Sequence, residues 1–268
     1  MKKNVTRLIV IGLLIVAGSN AFSQAEKKNI TIMKKVFHKA DTRGHANHGW
    51  LESYHTFSFA HYYNPERVQF GALRVLNDDV VDGGKGFGTH PHDNMEIISI
   101  PLSGDLEHKD NMGNATVIRQ NDVQIMSAGT GVQHSEYNKN PDKKVSFLQI
   151  WVFPKTRNSK PRYDQAAFSV EGRQNKWQQI VSPNEKDDGV WINQDAWFHL
   201  GNFKKGFATE YAIRKSGNGV YVFVLNGDVT VNGEKLNRRD GLGIWDANTL
   251  SIQADSETEL LLMEVPMK

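Results

Sequence analysis

From about residue 30 onward the chain is a succession of short apolar runs broken by turn residues, which leaves room for little except a β fold. Ile97-Ile98-Ser99-Ile100, Ala115-Thr116-Val117-Ile118, Ser146 to Phe153 and Val220 to Leu225 are of strand length. The segments Ser103-Gly104-Asp105, Asn226-Gly227-Asp228 and Asn232-Gly233 are the turn signals that separate such strands. No stretch carries a sustained 3.6-residue period; only Asp164 to Phe168 and Asn175 to Gln179 read as short helical pieces. Many short strands at regular spacing predict an all-β sandwich or barrel.

The pattern is written twice. Ile98-Ser99-Ile100-Pro101-Leu102-Ser103-Gly104-Asp105-Leu106 parallels Val222-Phe223-Val224-Leu225-Asn226-Gly227-Asp228-Val229, and Arg119-Gln120-Asn121-Asp122-Val123 parallels Arg238-Arg239-Asp240-Gly241-Leu242. The order and spacing of these matches predict a duplicated β domain. The expected division is a first barrel over 30–155, a polar connecting segment over 156–186 containing Pro161 and Pro183, and a second barrel over 187–268.

The first residues read as an address. Lys2, Lys3 and Arg7 precede an apolar run from Leu8 to Ala17, and Ser19-Asn20-Ala21-Phe22-Ser23 supplies small residues before the chain turns polar. This is the layout of a secretory signal over residues 1–23 with cleavage after Ser23, giving an exported, periplasmic or secreted protein. The apolar run is about half of what spans a bilayer, so no stable membrane span is expected after cleavage. The removed segment holds 3 of the 32 cations and none of the 30 acids, so the mature chain is close to neutral. A near-neutral chain lacks the net phosphate-neutralising surface of a nucleic-acid binder. The absence of cysteine excludes disulfide scaffolds, thiolate zinc sites, iron–sulfur clusters and cysteine nucleophiles.

Two segments carry the chemistry. Gly84-Lys85-Gly86-Phe87-Gly88-Thr89-His90-Pro91-His92-Asp93-Asn94-Met95-Glu96 is followed some forty residues later by Ser127-Ala128-Gly129-Thr130-Gly131-Val132-Gln133-His134-Ser135-Glu136-Tyr137-Asn138. His90 and His92 are two apart, as are His134 and Glu136, so in strands each pair shares a face at roughly 6.6 Å along the chain. If the two segments pair, facing Cβ atoms are about 5 Å apart, and four donors stand at the corners of a small rectangle. A metal at its centre could bind all four with bonds of about 2.0–2.2 Å. Imidazoles with one carboxylate suit iron, manganese, nickel, copper or zinc better than calcium or magnesium. Glu96 is a competing carboxylate, but it lies about 13 Å beyond His92 along an extended strand unless a turn at Asp93-Asn94 returns it. Geometry therefore favours Glu136.

With these residues quoted, a family becomes recognisable. Gly84-x5-His90-x-His92-x3-Glu96 resembles the first cupin motif, and Gly131-x2-His134-x3-Asn138 the second, with Gly129 where a proline is usual. The chain resembles bacterial pirin-like proteins more closely still, through Arg43-Gly44-His45-Ala46-Asn47-His48-Gly49-Trp50-Leu51, His55-Thr56-Phe57-Ser58-Phe59, Phe87 to His92, Leu106-Glu107-His108-Lys109-Asp110 and Met126 to Gly131. The resemblance implies a bicupin, two tandem β-barrels with a metal in the N-terminal barrel only. It implies His90, His92, His134 and Glu136 as ligands of one divalent transition metal, Fe(II) by resemblance, with manganese, nickel, copper or zinc as alternatives. In the second copy, offsets from Gly227 and Asp240 place Ile213, Lys215, Ile252 and Ala254 at the ligand positions, and none can replace a histidine.

The activity implied is that of a quercetin 2,3-dioxygenase-like oxidoreductase, whose partners are a small aromatic substrate and dioxygen. Three neutral imidazoles and one carboxylate around a divalent cation leave a charge of about +1 and open positions, which suits a substrate arriving as an enolate. Glu136 is the expected catalytic group, assisting deprotonation. Readings of another class are a non-catalytic metal-binding or redox-sensing bicupin and a Lewis-acid metal isomerase; consumption of dioxygen separates them. Trp50, Phe57, Phe59, Phe87, Tyr137 and Phe147 are candidates to line a pocket, with ordinary barrel core as the simpler expectation for each. His45, His48, His55 and His108 read as hydrogen-bonded structural histidines, one of which could support a ligand.

Overall fold

The computed structural model describes residues 33–268, so the expected signal segment lies outside the described residues. Twenty-two strands and two short 3-10 turns build two β-barrels, each a seven-stranded sheet closed over a four-stranded one. In the first barrel the large sheet runs, in spatial order, Arg162–Ala167, Asp122–Ser127, Glu96–Ser103, Val145–Val152, Leu73–Val81, Leu51–His55 and Gly44–Asn47. Its small sheet runs Gly86–His92, Val132–Asn138, Leu106–Asp110 and Ala115–Ile118. The second barrel repeats the plan, its large sheet ordered Lys34–His38, Gly241–Trp245, Asn218–Asn226, Thr258–Pro266, Trp197–Phe203, Trp177–Ser182 and Val190–Trp191. Its small sheet is Ala208–Ala212, Thr249–Ala254, Val229–Val231 and Glu234–Leu236.

The strand pairing differs from a simple cut along the chain. Lys34–His38, in the segment assigned to the first barrel, pairs with Gly241–Trp245 of the second. The segment 156–186, expected to be a connector, supplies a strand to each barrel: Arg162–Ala167 pairs with Asp122–Ser127, and Trp177–Ser182 with Trp197–Phe203. Both pieces expected to be helical are thus largely strand. An open sheet edge presents a row of unpaired backbone groups, and satisfying that ladder outweighs weak local helix preference.

Period-2 alternation gives each large sheet two buried faces. Ile98, Ile100, Leu148 and Ile150 of the first barrel share one core with Phe198, Tyr221, Phe223, Leu261 and Met263 of the second. The intervening residues point into their own barrel. In the second barrel that interior is apolar: Val220, Val222, Val224, Leu242, Leu260 and Leu262 meet Val229, Val231, Leu250 and Ile252. In the first it is split into two small apolar clusters, one around Leu51, Val81, Leu106 and Phe147, the other around Ile97, Met126 and Val132. The buried polar residues Ser53, Asn77, Asp79, Ser99, His108, His134, Glu136 and Gln149 belong to the same strands.

Polar bonds pin the barrels together beside the shared core. Asp78 accepts from Arg239 Nε at 2.8 Å and from Arg43 Nη1 at 3.3 Å. Glu96, fully buried, accepts from Ser127 Oγ at 2.7 Å and from the Asn193 backbone N–H at 3.2 Å. Because the core is continuous, denaturant unfolding should be one cooperative transition, and Phe198→Ala should lower its free energy by about 3–5 kcal/mol. Two separable transitions, with only one shifted by this substitution, would contradict a shared core.

Candidate metal centre and cavity

Gly86–His92 and Val132–Asn138 do pair, with His134 opposite His90 and His92 opposite Val132. The register slips between His134 and Glu136, so Glu136 stands opposite Phe87. The four donors are therefore staggered along the two strands, and the expected rectangle is replaced by a triad with a neighbour. One ring nitrogen from each of His90, His92 and His134 lies within 4.8 Å of the others. Glu136 instead falls into a second group with His134 and His108, again within 4.8 Å.

Two glycines permit this geometry. Gly129 has φ +50°, a region closed to proline, whose ring holds φ near −65°, which accounts for glycine where the second motif usually has proline. A Cβ on Gly129 would also overlap the Ser159 carbonyl. Gly86 lies so close to the neighbouring strand that a Cβ there would collide with the Glu136 carbonyl.

The hydrogen bonds fix which imidazole nitrogens are free. His90 Nδ1 is 2.8 Å from the Gly88 carbonyl, which can only accept, so Nδ1 carries the proton and Nε2 keeps its lone pair. Behind His134 runs a relay. His108 Nε2 is 3.0 Å from Asp110 Oδ2, and His108 Nδ1 is 3.5 Å from His134 Nδ1. Burial pushes the Asp110 carboxyl up, but hydrogen bonds from His108, Asn114 and the Met112 backbone hold it below the ordinary range, so it is an acceptor. His108 then donates from Nε2, accepts at Nδ1 from His134, and leaves His134 Nε2 with a free lone pair. His92 Nε2 and His134 Nε2 are buried and without a hydrogen-bond partner. Burial, together with the neighbouring imidazoles, lowers His92 to about 4 and His134 to about 3, so both rings are neutral near pH 7. Two orphaned, buried nitrogens on neutral rings beside a third imidazole are a donor set that a transition metal satisfies.

Glu136 is almost wholly buried and accepts from Gln149 Nε2 at 2.9 and 3.1 Å and from Ser99 Oγ at 3.1 Å. A carboxylate offers about four lone-pair sites, so Glu136 retains capacity for about one further bond. Glu96 is elsewhere: Asn94, at φ +47°, does turn the chain, but into the large sheet, where Glu96 joins the barrels. Burial raises its pKa.

The cluster opens on a cavity of about 790 Å³. Of the six candidate aromatics, Trp50, Phe59 and Phe87 line it, whereas Phe57 and Phe147 are core and Tyr137 is partly exposed on the surface. His45, His48 and His55 line it too, while His108 stands behind His134. Sequence reasoning missed Trp151, whose ring meets His92 edge-on at 4.9 Å, and Gln149 and Asp79. Asp79 is raised to about 7 by burial, against the hydrogen bond from Ser53, with the charges of Asp78 and Glu136 adding to the rise. A signal was present: Asn77 and Asp79 stand two apart between the apolar pairs Val75-Leu76 and Val80-Val81, and in a strand residues two apart share a face.

The second barrel can be matched through its pairing. With the Gly104-Asp105 and Gly227-Asp228 turns superposed, His108 corresponds to Val231, Glu136 to Ile252, His134 to Leu250, His90 to Tyr211 and His92 to Ile213. Sequence offsets had placed these counterparts two residues further on. Tyr211 is the one counterpart among these with a polar side-chain atom, and its hydroxyl donates to Glu264 at 2.9 Å.

Two tandem β-barrels, the first with an imidazole cluster at its cavity, define a bicupin. Residues 36–152 match the pirin family and residues 179–265 the quercetinase C-terminal cupin domain. A quercetin 2,3-dioxygenase of Escherichia coli K12 is 45% identical over 229 residues, covering 85% of this chain and 97% of that protein. A pirin-like protein of Caulobacter vibrioides is 41% identical, over 84% of this chain and 96% of its own. The crystal structure of bacterial pirin YhhW from E. coli in complex with nickel(II) aligns with a TM-score of 0.82 at 44% identity, covering 87% of this chain and 99% of that one. The chain belongs to the pirin family.

If the relay sets the free nitrogen of His134, Asp110→Asn and His108→Gln should each weaken metal binding by about 10–100-fold, read by chelator competition. Melting of the metal-free variants would be followed alongside. Unchanged affinity in both, with the fold intact, would remove the relay from the account.

Proposed function

We propose that this protein is a metal-dependent dioxygenase that opens a flavonol-like or other enolic aromatic ring. The observation that carries the reading is the cavity of about 790 Å³ with aromatic walls, lined by Glu136 and by His90 and His92, which His134 joins in the three-imidazole cluster. That size suits a drug-sized planar molecule. The naming of relatives at 45% identity as quercetin 2,3-dioxygenases supports the same substrate class.

In this reading His90, His92 and His134 hold one divalent metal in the first barrel only, and Glu136, within 4.8 Å of His134, joins them or acts beside them. When bound, the metal would acidify a coordinated hydroxyl and hold the resulting enolate beside dioxygen, the substrate itself supplying the electrons that reduce dioxygen. Iron(II) is the metal we propose by family resemblance; nickel is what the YhhW crystal contained. The chain's residues do the rest. Trp50, Phe59, Phe87 and Trp151 flank the ring and exclude water. Glu136, oriented by Gln149 and Ser99, takes the hydroxyl proton through its remaining lone-pair site. Asp79, whose proton is retained into the neutral range, keeps a second negative charge away from Glu136.

The test is quercetin turnover by protein loaded separately with iron(II), manganese, nickel, copper and zinc, with dioxygen uptake and carbon monoxide release measured together. Equal consumption and release with a redox-active metal, abolished in His92→Ala, is the expected result. Glu136→Gln, which keeps the shape but loses the base, should lower kcat by about 10²–10⁴-fold. Turnover by metal-free His92→Ala protein, or turnover without dioxygen uptake, would overturn the proposal.

A further inference from the structure

One indole in the first barrel is tied to two of the candidate donors at once. Trp151 stands on Val145–Val152, partly buried in the cavity wall. Its ring meets His92 edge-on at 4.9 Å and Phe59 edge-on at 5.4 Å. Its Nε1 donates to Gln149 Oε1 at 3.2 Å, two residues back on the same face of the strand. Gln149 Nε2 in turn donates to both Glu136 oxygens, at 2.9 and 3.1 Å. Trp151 thus reaches His92 through a ring contact and Glu136 through two successive hydrogen bonds. His92 and Glu136 otherwise belong to different donor groups.

The sense of this path is fixed by chemistry. An indole N–H can only donate, so it faces the carbonyl oxygen of the Gln149 amide and never its NH₂. The NH₂ must then face Glu136, which accepts. Without the indole donor nothing on that side sets the amide, and a turn of half a revolution would aim its oxygen at a buried carboxylate, a contact that repels. Glu136 would then keep only the bond from Ser99 Oγ, at 3.1 Å.

The second barrel serves as an internal comparison. Strand pairing puts Leu262 at the position of Gln149 and Glu264 at that of Trp151. The same barrel has Leu250 and Ile252 where the first has His134 and Glu136. The Trp–Gln pair is present where the carboxylate is present and gone where it is gone. A barrel of this plan therefore closes without the pair, so packing alone does not call for it.

We propose that Trp151 is a positioning residue of the first-barrel site, which sets the Gln149 amide and through it the place of the Glu136 carboxylate, while its ring braces His92. The proposal rests on the reading of that barrel as a metal site.

A double-mutant cycle tests it, with Trp151→Phe, which keeps an aromatic ring and deletes the N–H, Gln149→Met, and the two combined. Cobalt(II) affinity is read by chelator competition, kcat and KM are read for quercetin with iron(II)-loaded protein, and melting of each metal-free variant is followed. Trp151→Phe alone should cost about tenfold, in cobalt(II) affinity if Glu136 joins the imidazoles and in kcat if it acts beside them, with KM within about twofold. In the Gln149→Met background the same substitution should cost less than about twofold, because the amide it acts through is absent. Gln149→Leu replaces Gln149→Met if the latter melts early. No loss in either quantity, or an equal loss in both backgrounds, would reduce Trp151 to a wall and overturn the proposal. A wild type that binds cobalt(II) but turns over no quercetin counts against the dioxygenase reading, and the cobalt(II) cycle then decides the role of Trp151 by itself.

Discussion

Each large sheet of this protein buries both of its faces, and side-chain alternation forces one sequence to serve two environments at once. Along Val145–Val152, Leu148, Ile150 and Val152 build the core between the barrels, while Val145, Phe147, Gln149 and Trp151 face their own barrel. The same division runs along Thr258–Pro266, where Leu261, Met263 and Val265 join the shared core and Leu260 and Leu262 the barrel interior. The shared face is apolar in both copies and supplies stability. The interior face is free to differ, and it differs greatly: Ser99 and Gln149 of the first barrel correspond to Val222 and Leu262 of the second. Function could therefore be concentrated in one barrel without loosening the joint between them.

Polar side chains inside a barrel are expensive unless satisfied, and the first barrel satisfies them in a chain. Asp110 orders His108, His108 orders His134, and Ser99 with Gln149 orders Glu136. What remains unsatisfied, the outward nitrogens of His92 and His134, borders the cavity cluster. This is preorganisation in the physical sense: the surrounding bonds are spent on holding the ligand atoms in place, so little reorganisation is left for the moment of binding.

Much of this was legible in the sequence. The strand-length runs gave the fold class, the repeated Gly-Asp turns gave the duplication, and the His-x-His and His-x-Glu spacings pointed to side chains that the fold brings near one another. What the spacing could not carry was register. An irregularity between His134 and Glu136 shifts the carboxylate along the strand, beside the close backbone approach at Gly86, and donor spacing carries no sign of it. The swapped edge strands were equally hidden. Arg162–Ala167 and Trp177–Ser182 carry weak local patterns, and they become strands because edges in the two barrels need partners. Gln149, Trp151 and Asp79 reach the cavity from the large sheet, remote in sequence from both histidine motifs, so only the closed barrel brings them there.

The central claim is that one metal is held, in the first barrel, by three imidazoles, two of which, His90 and His134, have their free nitrogens selected by the surrounding hydrogen bonds. X-ray absorption spectroscopy of iron- or nickel-loaded protein, combined with metal analysis per chain, tests it most directly. One metal per chain, with the multiple-scattering signature of three imidazoles that is lost in His134→Ala and kept in Tyr211→Phe, is the expected result. Two metals per chain, or a bound metal whose spectrum lacks imidazole scattering, would contradict it.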